Sequence, residues 1–395
     1  MTWDAQVGVV GLGAAGSAAL WRAAARGASV VGFEQHEPGH PHGSSHGHSR
    51  LFRTALVEGP QYVDLVRHAH GLWRELERAS GRDLLTLTGG LFVGRPDGAM
   101  LTATLDVVRA HDLPHELLDA AQVRARFPQH AVDDDVVGLL DPGTGVLRPE
   151  AAIVAAVEEA RRLGARVRSH ERVVAVEPEG GGVVVHSDGP DGGRSWRVRR
   201  LVVAAGAWAD RLLPALTVPH EVRRVLLTWF APRPGQDAAH RPERFPAFVH
   251  EADGRLAWGA PAFEGRGVKV GLHDAPVPLV DDPSSNPIEA APEEWREVAA
   301  WVAHRLPGLD PAAVTAEGCM YTRTPDEAFS IGEPAAYPGV VLAAACSGHG
   351  FKHASAVGDA VAALALDEAP LVDLGAFSPD RFGPRATGVG ATLAR

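Results

Sequence analysis

The segment that most restricts how this chain can fold lies at its start. Val7-Gly8-Val9-Val10, with no polar side chain, runs directly into Gly11-Leu12-Gly13-Ala14-Ala15-Gly16. A short, wholly apolar run is the pattern of a strand buried on both faces of a parallel sheet. Ser17 to Arg26 is alanine-rich, is closed by Gly27 and reads as a helix. Ser29 to Phe33 reads as the returning strand, with Glu34 at its end. A G-x-G-x-x-G on its own is common, but between a strand and a helix, with an acid about 20 residues on, it marks a dinucleotide site. Glycines at 11, 13 and 16 permit a tight turn and a close backbone approach, so a pyrophosphate can sit on the helix N-terminus. Glu34 is placed to accept hydrogen bonds from the adenosine ribose hydroxyls, and its charge would repel a 2′-phosphate, which argues against NADP.

Whole-chain properties narrow the class further. A length of 395 residues amounts to two or three domains, and 45% apolar with 22% charged residues is ordinary for a soluble globular protein. The formal net charge of −11 argues against a nucleic-acid partner or an anionic membrane surface. No apolar run approaches the roughly 18–20 residues of a membrane span. No basic segment precedes the first apolar stretch, so it does not read as a signal peptide. Two cysteines cannot make a disulfide framework. The expectation is a soluble, cytoplasmic protein.

Along the chain, Tyr62 to Leu76 has helical spacing, and from Leu84 to about Leu140 short strands and helices alternate. A helix over Ala151–Leu163, strands at Val173–Val176 and Val183–Val185, and a buried strand from Leu201 into Gly206 follow. Residues 221–290 are strand-rich, Pro292–Leu306 reads as a helix, and Val340–Ala345 is a last strand before a helix to about Leu366. The expected fold is α/β (α+β): a Rossmann-like dinucleotide-binding domain with an inserted mixed-sheet substrate domain. We place the cofactor domain at 1–83, 143–220 and 317–395, and the substrate domain at 84–142 and 221–316.

Rare residues single out candidate chemistry. Of 38 basic residues only Lys269 and Lys352 are lysines; the rest are arginines. A lysine that persists against such a bias can mark a place where a compact ammonium is needed, although two lysines can also survive at arbitrary surface positions. Lys269 and His273 stand four apart in an alternating strand pattern, so both side chains share a face. Four histidines at 40, 42, 46 and 48 invite a metal reading, but they lie in a Gly/Ser loop with no regular element to aim them together. No metal is expected there. A loop packed beside a cofactor, ending in Arg50 and Arg53, fits better.

Several segments, in one order, carry a family resemblance: the glycine fingerprint, Gly43-Ser44-Ser45-His46-Gly47 with Arg50 and Arg53, Val203-Ala204-Ala205-Gly206-Ala207-Trp208, Gly318-Cys319-Met320-Tyr321-Thr322, and Ser347-Gly348-His349-Gly350-Phe351-Lys352. Together they closely resemble the monomeric sarcosine oxidase family, which includes N-methyltryptophan oxidase. The resemblance implies a flavoprotein oxidase of secondary, N-methyl or cyclic amino acids that forms an imine and reduces O2 to H2O2. It implies FAD bound covalently through Cys319, with His46 and Arg50 beside it assisting attachment. It places Ser44, Val173, Ala205, Gly206, Gly348 and Gly350 against the cofactor. Lys269 is implied as the O2-activating cation, His273 as an active-site histidine, and Tyr321 as a hydrogen-bond partner for the substrate. Arg53 and Lys352 are implied to grip the substrate carboxylate, Lys352 also touching the cofactor. The alternatives are a lysine on an edge strand for Lys269 and a satisfied core histidine for His273. Cys346, the competing cysteine, reads as a small core residue.

Val249 and Trp258 align with pocket positions where sarcosine-type members carry a methionine and a tyrosine. The resemblance therefore implies a differently shaped pocket and leaves cyclic imino acids such as proline, pipecolate or a piperideine carboxylate open as substrates. It also implies a monomer whose partners are an amino acid and O2. A flavin dehydrogenase passing electrons elsewhere is the rival reading.

Overall fold

The computed structural model describes residues 2–273 and 278–383. The first apolar run forms the strand Ala5–Val10, with parallel neighbours on both sides: Val30–Phe33 and the end of Gly192–Val203. Arg166–Arg168 adds beyond the first and Val340–Ala344 beyond the second, both parallel. Such a sheet needs cover on both faces. Helices Ala14–Ala25, Pro149–Arg162, Val63–Ser80 and Ala354–Ala365 supply one cover. On the other side, Gly192–Val203 runs far longer than the apolar stretch at its end suggested. Its first half pairs antiparallel with Gly182–Gly189, which pairs with Arg172–Glu179.

The helices are tied by one buried acid. The Asp359 carboxylate accepts from Arg22 Nε at 2.7 Å, lies 2.8 Å from Arg26 Nη1 and meets His68 Nε2 at 2.9 Å. Burial alone would raise its pKa, but these partners from two other helices hold it well below the usual carboxylate range. A depressed folded pKa contributes stability above the unfolded carboxylate range, and that contribution is lost as pH falls through the folded value. Asp359→Asn should therefore lower stability at neutral pH by about 2 kcal/mol, with the difference shrinking on acidification. Denaturant midpoints of the holoprotein at neutral and acid pH check this; equal midpoints at neutral pH would dismiss the acid as a clamp.

A second, eight-stranded sheet runs in the order Leu309–Arg323, Glu221–Pro232, Val268–Leu272, Arg255–Ala260, Ala247–Ala252, Gly90–Gly94, Val137–Asp141, Glu116–Asp119. Its one parallel pairing joins Ala247–Ala252 to Gly90–Gly94, where the two chain segments that build it meet. Two of the expected boundaries run through or beside regular elements. Leu309–Arg323 passes through 316/317 as one continuous strand, and Leu85–Leu87, just past 83/84, pairs instead with Gly145–Leu147 in a small sheet with Arg50–Phe52. No helix among the described residues is long and apolar enough to cross a membrane.

Candidate active site

A long cleft opens at the carboxyl ends of the parallel strands. Gly11 has φ +83°, and a Cβ on it would stand 2.7 Å from the Ala204 carbonyl oxygen, so the turn requires glycine. At Gly16 a Cβ would meet the Gly11 carbonyl at 1.8 Å; this glycine lets the helix close onto the turn and does not itself line the cleft. Gly11, Gly13, Glu34, Ser44, Val173, Ala205, Gly206 and Gly350 all line it. Ser45, part of the Gly43–Gly47 segment but given no role of its own there, orders the turn by accepting from Ala14 N at 3.2 Å. Glu34 is buried and accepts from Leu12 N at 2.9 Å and His36 N at 3.0 Å, with His40 Nε2 3.2 Å away. Burial would raise its pKa, but His40 and the backbone donors hold it down, so it is a carboxylate at neutral pH. A glycine turn at a helix N-terminus with an ionised acid on the next strand fits a dinucleotide's pyrophosphate and ribose.

One face of the eight-stranded sheet gathers most of the remaining candidates. Residues directly opposed on neighbouring strands share a face, as do alternate residues along a strand. The register pairs Val249 with Trp258, Trp258 with Gly271, Lys269 with Trp229, Leu227 with Glu317, Val225 with Cys319 and Arg223 with Tyr321. Val249, Trp258, Lys269, Cys319 and Tyr321 therefore stand on one wall. His273 has the same parity, yet the strand ends at Leu272 and the His273 side chain is exposed. Lys269 is 2% exposed, so strand spacing aligned the two, but burial separates them.

Lys269 does not lie on an edge: its strand is flanked on both sides. Its Nζ donates to Gly47 O at 2.8 Å and Ser49 O at 2.9 Å, and lies 5.1 Å from the centre of the Trp229 ring. An ammonium has three protons, which leaves one for another acceptor. Burial, then the nearby Arg50, lowers its pKa well below the ordinary lysine range, against opposing effects from Cys319, Glu150 and Glu317. Glu150 accepts from Gly47 N at 2.7 Å and His48 N at 3.1 Å, so the histidine loop is held between the lysine and this acid. His46 is buried, and neither ring nitrogen has a hydrogen-bond partner among the described residues. Burial and Arg50 pull its pKa to about 3, which leaves a neutral imidazole with unmet polar atoms. The His36 ring lies tilted against those of His40 and His42, 4.6 and 4.5 Å away, and no cluster suited to a metal ion occurs among the described residues.

The two cysteines occupy different settings. Cys319 is buried, with Arg50 Nη2 and the Gly43 carbonyl each 3.9 Å from its Sγ. Burial pushes its thiol up, and Arg50 and Lys269 pull it the other way. Cys346 is half-buried: it packs against the hydrophobic core and also forms part of the cleft wall. The cause is local: Ala345 and Ser347 have φ of +51° and +45°, so the chain bends sharply as it leaves the strand and turns Cys346 toward the cleft.

Arg53 and Lys352 do converge, on a partner the sequence gave no reason to expect. Both bind the Glu58 carboxylate, Lys352 Nζ at 3.0 Å. Lys352 Nζ also donates to His349 O at 3.0 Å, and Trp73 Nε1 anchors the Lys352 carbonyl at 3.1 Å. Burial lowers the Lys352 pKa to about 8 despite Glu58. Glu58 is held well below the carboxylate range because Arg53 and Lys352 outweigh its burial; its Oε2 is buried without a hydrogen-bond partner. The only sequence signal was an acid between apolar residues and a Gly-Pro turn, which does not say what it meets. Gly348 lies outside the cleft lining and instead packs over Tyr321, where a Cβ would stand 3.8 Å from the ring. Burial raises the Tyr321 pKa, so its hydroxyl stays a donor.

With this geometry in view, comparisons with known proteins are specific. Residues 6–364 match the model of the FAD dependent oxidoreductase family. The chain is 38% identical over 378 residues to monomeric sarcosine oxidase of Streptomyces avermitilis, covering 95% of this chain and 97% of that protein. It is 33% identical over 376 residues to N-methyl-L-tryptophan oxidase of Yersinia pestis, covering 95% and 98%. Among solved structures, NikD, an amino acid oxidase essential for nikkomycin biosynthesis, matches with a TM-score of 0.82 at 24% identity, covering 96% of this chain and 98% of that one. That last likeness speaks for the fold.

Proposed function

Since the chain belongs to the FAD-dependent oxidoreductases, in the family of monomeric sarcosine oxidase and N-methyltryptophan oxidase, we propose that it oxidises secondary amino acids, N-methyl or cyclic, to imines with reduction of O2 to H2O2. The observation that carries this reading is the single wall bearing Lys269 and Cys319, with the Arg53–Lys352 pair as the second cationic site. FAD, when bound, supplies the two-electron oxidant that O2 regenerates. The chain's own residues hold, orient and supply charge.

Arg53 and Lys352 bind the substrate carboxylate, two cations fixing one anion and so fixing the amine that hangs from it. Glu58 offsets one of their two positive charges before substrate enters, which keeps the cations from facing each other without a counter-ion. The entering carboxylate competes with Glu58 for the same donors. Lys269 presents its ammonium to dioxygen and stabilises the negative charge that develops as O2 is reduced, in a site from which water is largely excluded. Arg50 stands beside Cys319, which would hold the cofactor through a thioether; the Arg50 charge favours the thiolate needed for that bond, and His46 lies in the same buried cluster near Arg50 and Lys269. Trp258 and Val249 form the wall facing the rest of the substrate. The enzyme is read as a cytoplasmic monomer with no partner beyond its amino acid and O2.

Acid precipitation tests the attachment. Yellow colour should stay in the pellet of the parent and of Cys346→Ala, and pass to the supernatant for Cys319→Ala. Colour released from the parent, or retained by Cys319→Ala and lost by Cys346→Ala, would reject Cys319 as the link. H2O2 release on adding sarcosine, N-methylalanine, proline or pipecolate tests the activity. Flavin reduction by one of these without H2O2 would favour a dehydrogenase.

A further inference from the structure

We propose that Gly271 is a positioning residue of the amine-oxidising site: lacking a side chain, it lets the Trp258 indole extend across the sheet, and that ring sets how large a substrate fits. The inference rests on the functional reading above and adds the residue that shapes its pocket.

The register gives one continuous row, Val249, Trp258, Gly271, across three adjacent strands. A Cβ on Gly271 would stand 2.4 Å from Trp258 Cζ2, 2.6 Å from Cε2 and 3.1 Å from Cη2. These are atoms of a rigid ring, so no terminal rotation relieves the overlap; the whole indole must move. Gly271 is not among the residues with positive φ, so the backbone there would accept any residue. What the position requires is empty space above the Cα.

Trp258 is half-buried. It packs on Leu227, Trp229 and Cys319 on one side and on the cluster holding Ala55, Phe92 and Val249 on the other. Lys269 is two residues from Gly271 on the same face, and Ala55 lies two residues from Arg53. The indole therefore spans from the residues assigned to O2 and cofactor toward the loop that grips the carboxylate. A ring so placed borders whatever hangs from the carboxylate's α-carbon and nitrogen. Any side chain at 271 tilts the indole off the sheet and into that space.

The test compares ligands that share a carboxylate but differ in bulk. Acetate and benzoate are titrated into parent and Gly271→Ala holoenzyme and followed by the visible absorbance of the bound flavin. Benzoate should bind about 10-fold more weakly to Gly271→Ala, the scale of discrimination a single methyl-sized change carries in a pocket, and acetate should stay within about twofold. In a Trp258→Ala background, adding Gly271→Ala should change neither constant, because the two positions act through one contact. Equal weakening of both ligands, no change in either, or an undiminished benzoate effect in the Trp258→Ala background would overturn the proposal. Should Gly271→Ala fail to fold, the double variant is expected to fold, and its failure would overturn the proposal as well. If the parent binds neither carboxylate, the functional reading falls and this inference with it; if the parent binds both and Gly271→Ala alters neither, only the inference falls.

Discussion

Lys269→Met should leave anaerobic reduction of the bound flavin by amine within about twofold of the parent, yet slow its reoxidation by O2 by about 10²–10³-fold. The expectation follows from where the ammonium sits. Two protons are tied to the Gly47 and Ser49 carbonyls, which fixes the nitrogen in space, and one is left for the oxygen side. Burial makes a fixed charge worth more than it would be in water, and methionine keeps much of the volume while removing the charge. Burial beside Arg50 also lowers the lysine pKa well below its ordinary range. The charged, active form is therefore the low-pH form, and the O2 step of the parent should slow as pH rises through that lowered value. In Lys269→Met the same step should be flat with pH. Stopped-flow reoxidation across pH checks both halves. Equal rates for parent and variant, or a parent rate that rises with pH, would remove Lys269 from the O2 step.

The second large effect concerns the carboxylate clamp. Arg53→Met should lower kcat/KM by about 10³-fold, mostly through KM, because it removes a half-buried charge-assisted partner and leaves Lys352 alone with Glu58. Glu58→Gln should shift carboxylate binding in the opposite direction, since it removes the intramolecular anion that competes for Arg53 and Lys352. Opposite signs distinguish competition from mere structural damage, which would weaken binding in both. Lys352, with its pKa lowered to about 8, loses its charge as pH rises through that value. KM of the parent should accordingly climb above about pH 8. Steady-state kinetics of the parent and both variants over pH 6–9 measure this; binding weakened alike in Arg53→Met and Glu58→Gln would end the competitive account.

Much of the cofactor site could be read from the chain because its physics is local. The strand, the glycine turn, the helix and Glu34 lie within the first 34 residues, and each feature constrains its immediate neighbours. The candidates Lys269 and Lys352 stood out through composition alone, and the order of the later segments supplied the family resemblance. The lysine–histidine spacing was also legible as strand parity, but parity says nothing about where a strand stops. His273 falls just past the last residue of its strand and is exposed.

What lies beyond local patterning follows from tertiary structure. Glu58 meets Lys352 across 294 positions of sequence, and Lys269 meets Gly47 across 222, so neither pairing leaves a mark on the sequence near either partner. Cys346 turned out to face the cleft because two residues with positive φ bend the strand exit, a conformation that alanine and serine do not announce. Local patterning specified most of the elements and the nucleotide chemistry they can hold, since those depend on side-chain periodicity and on glycine's freedom over a few residues. Only the packed fold decided which charges meet, which imidazoles are buried without a hydrogen-bond partner and which glycine lies under an indole. Those outcomes depend on the register between strands distant in sequence and on the burial that their packing imposes.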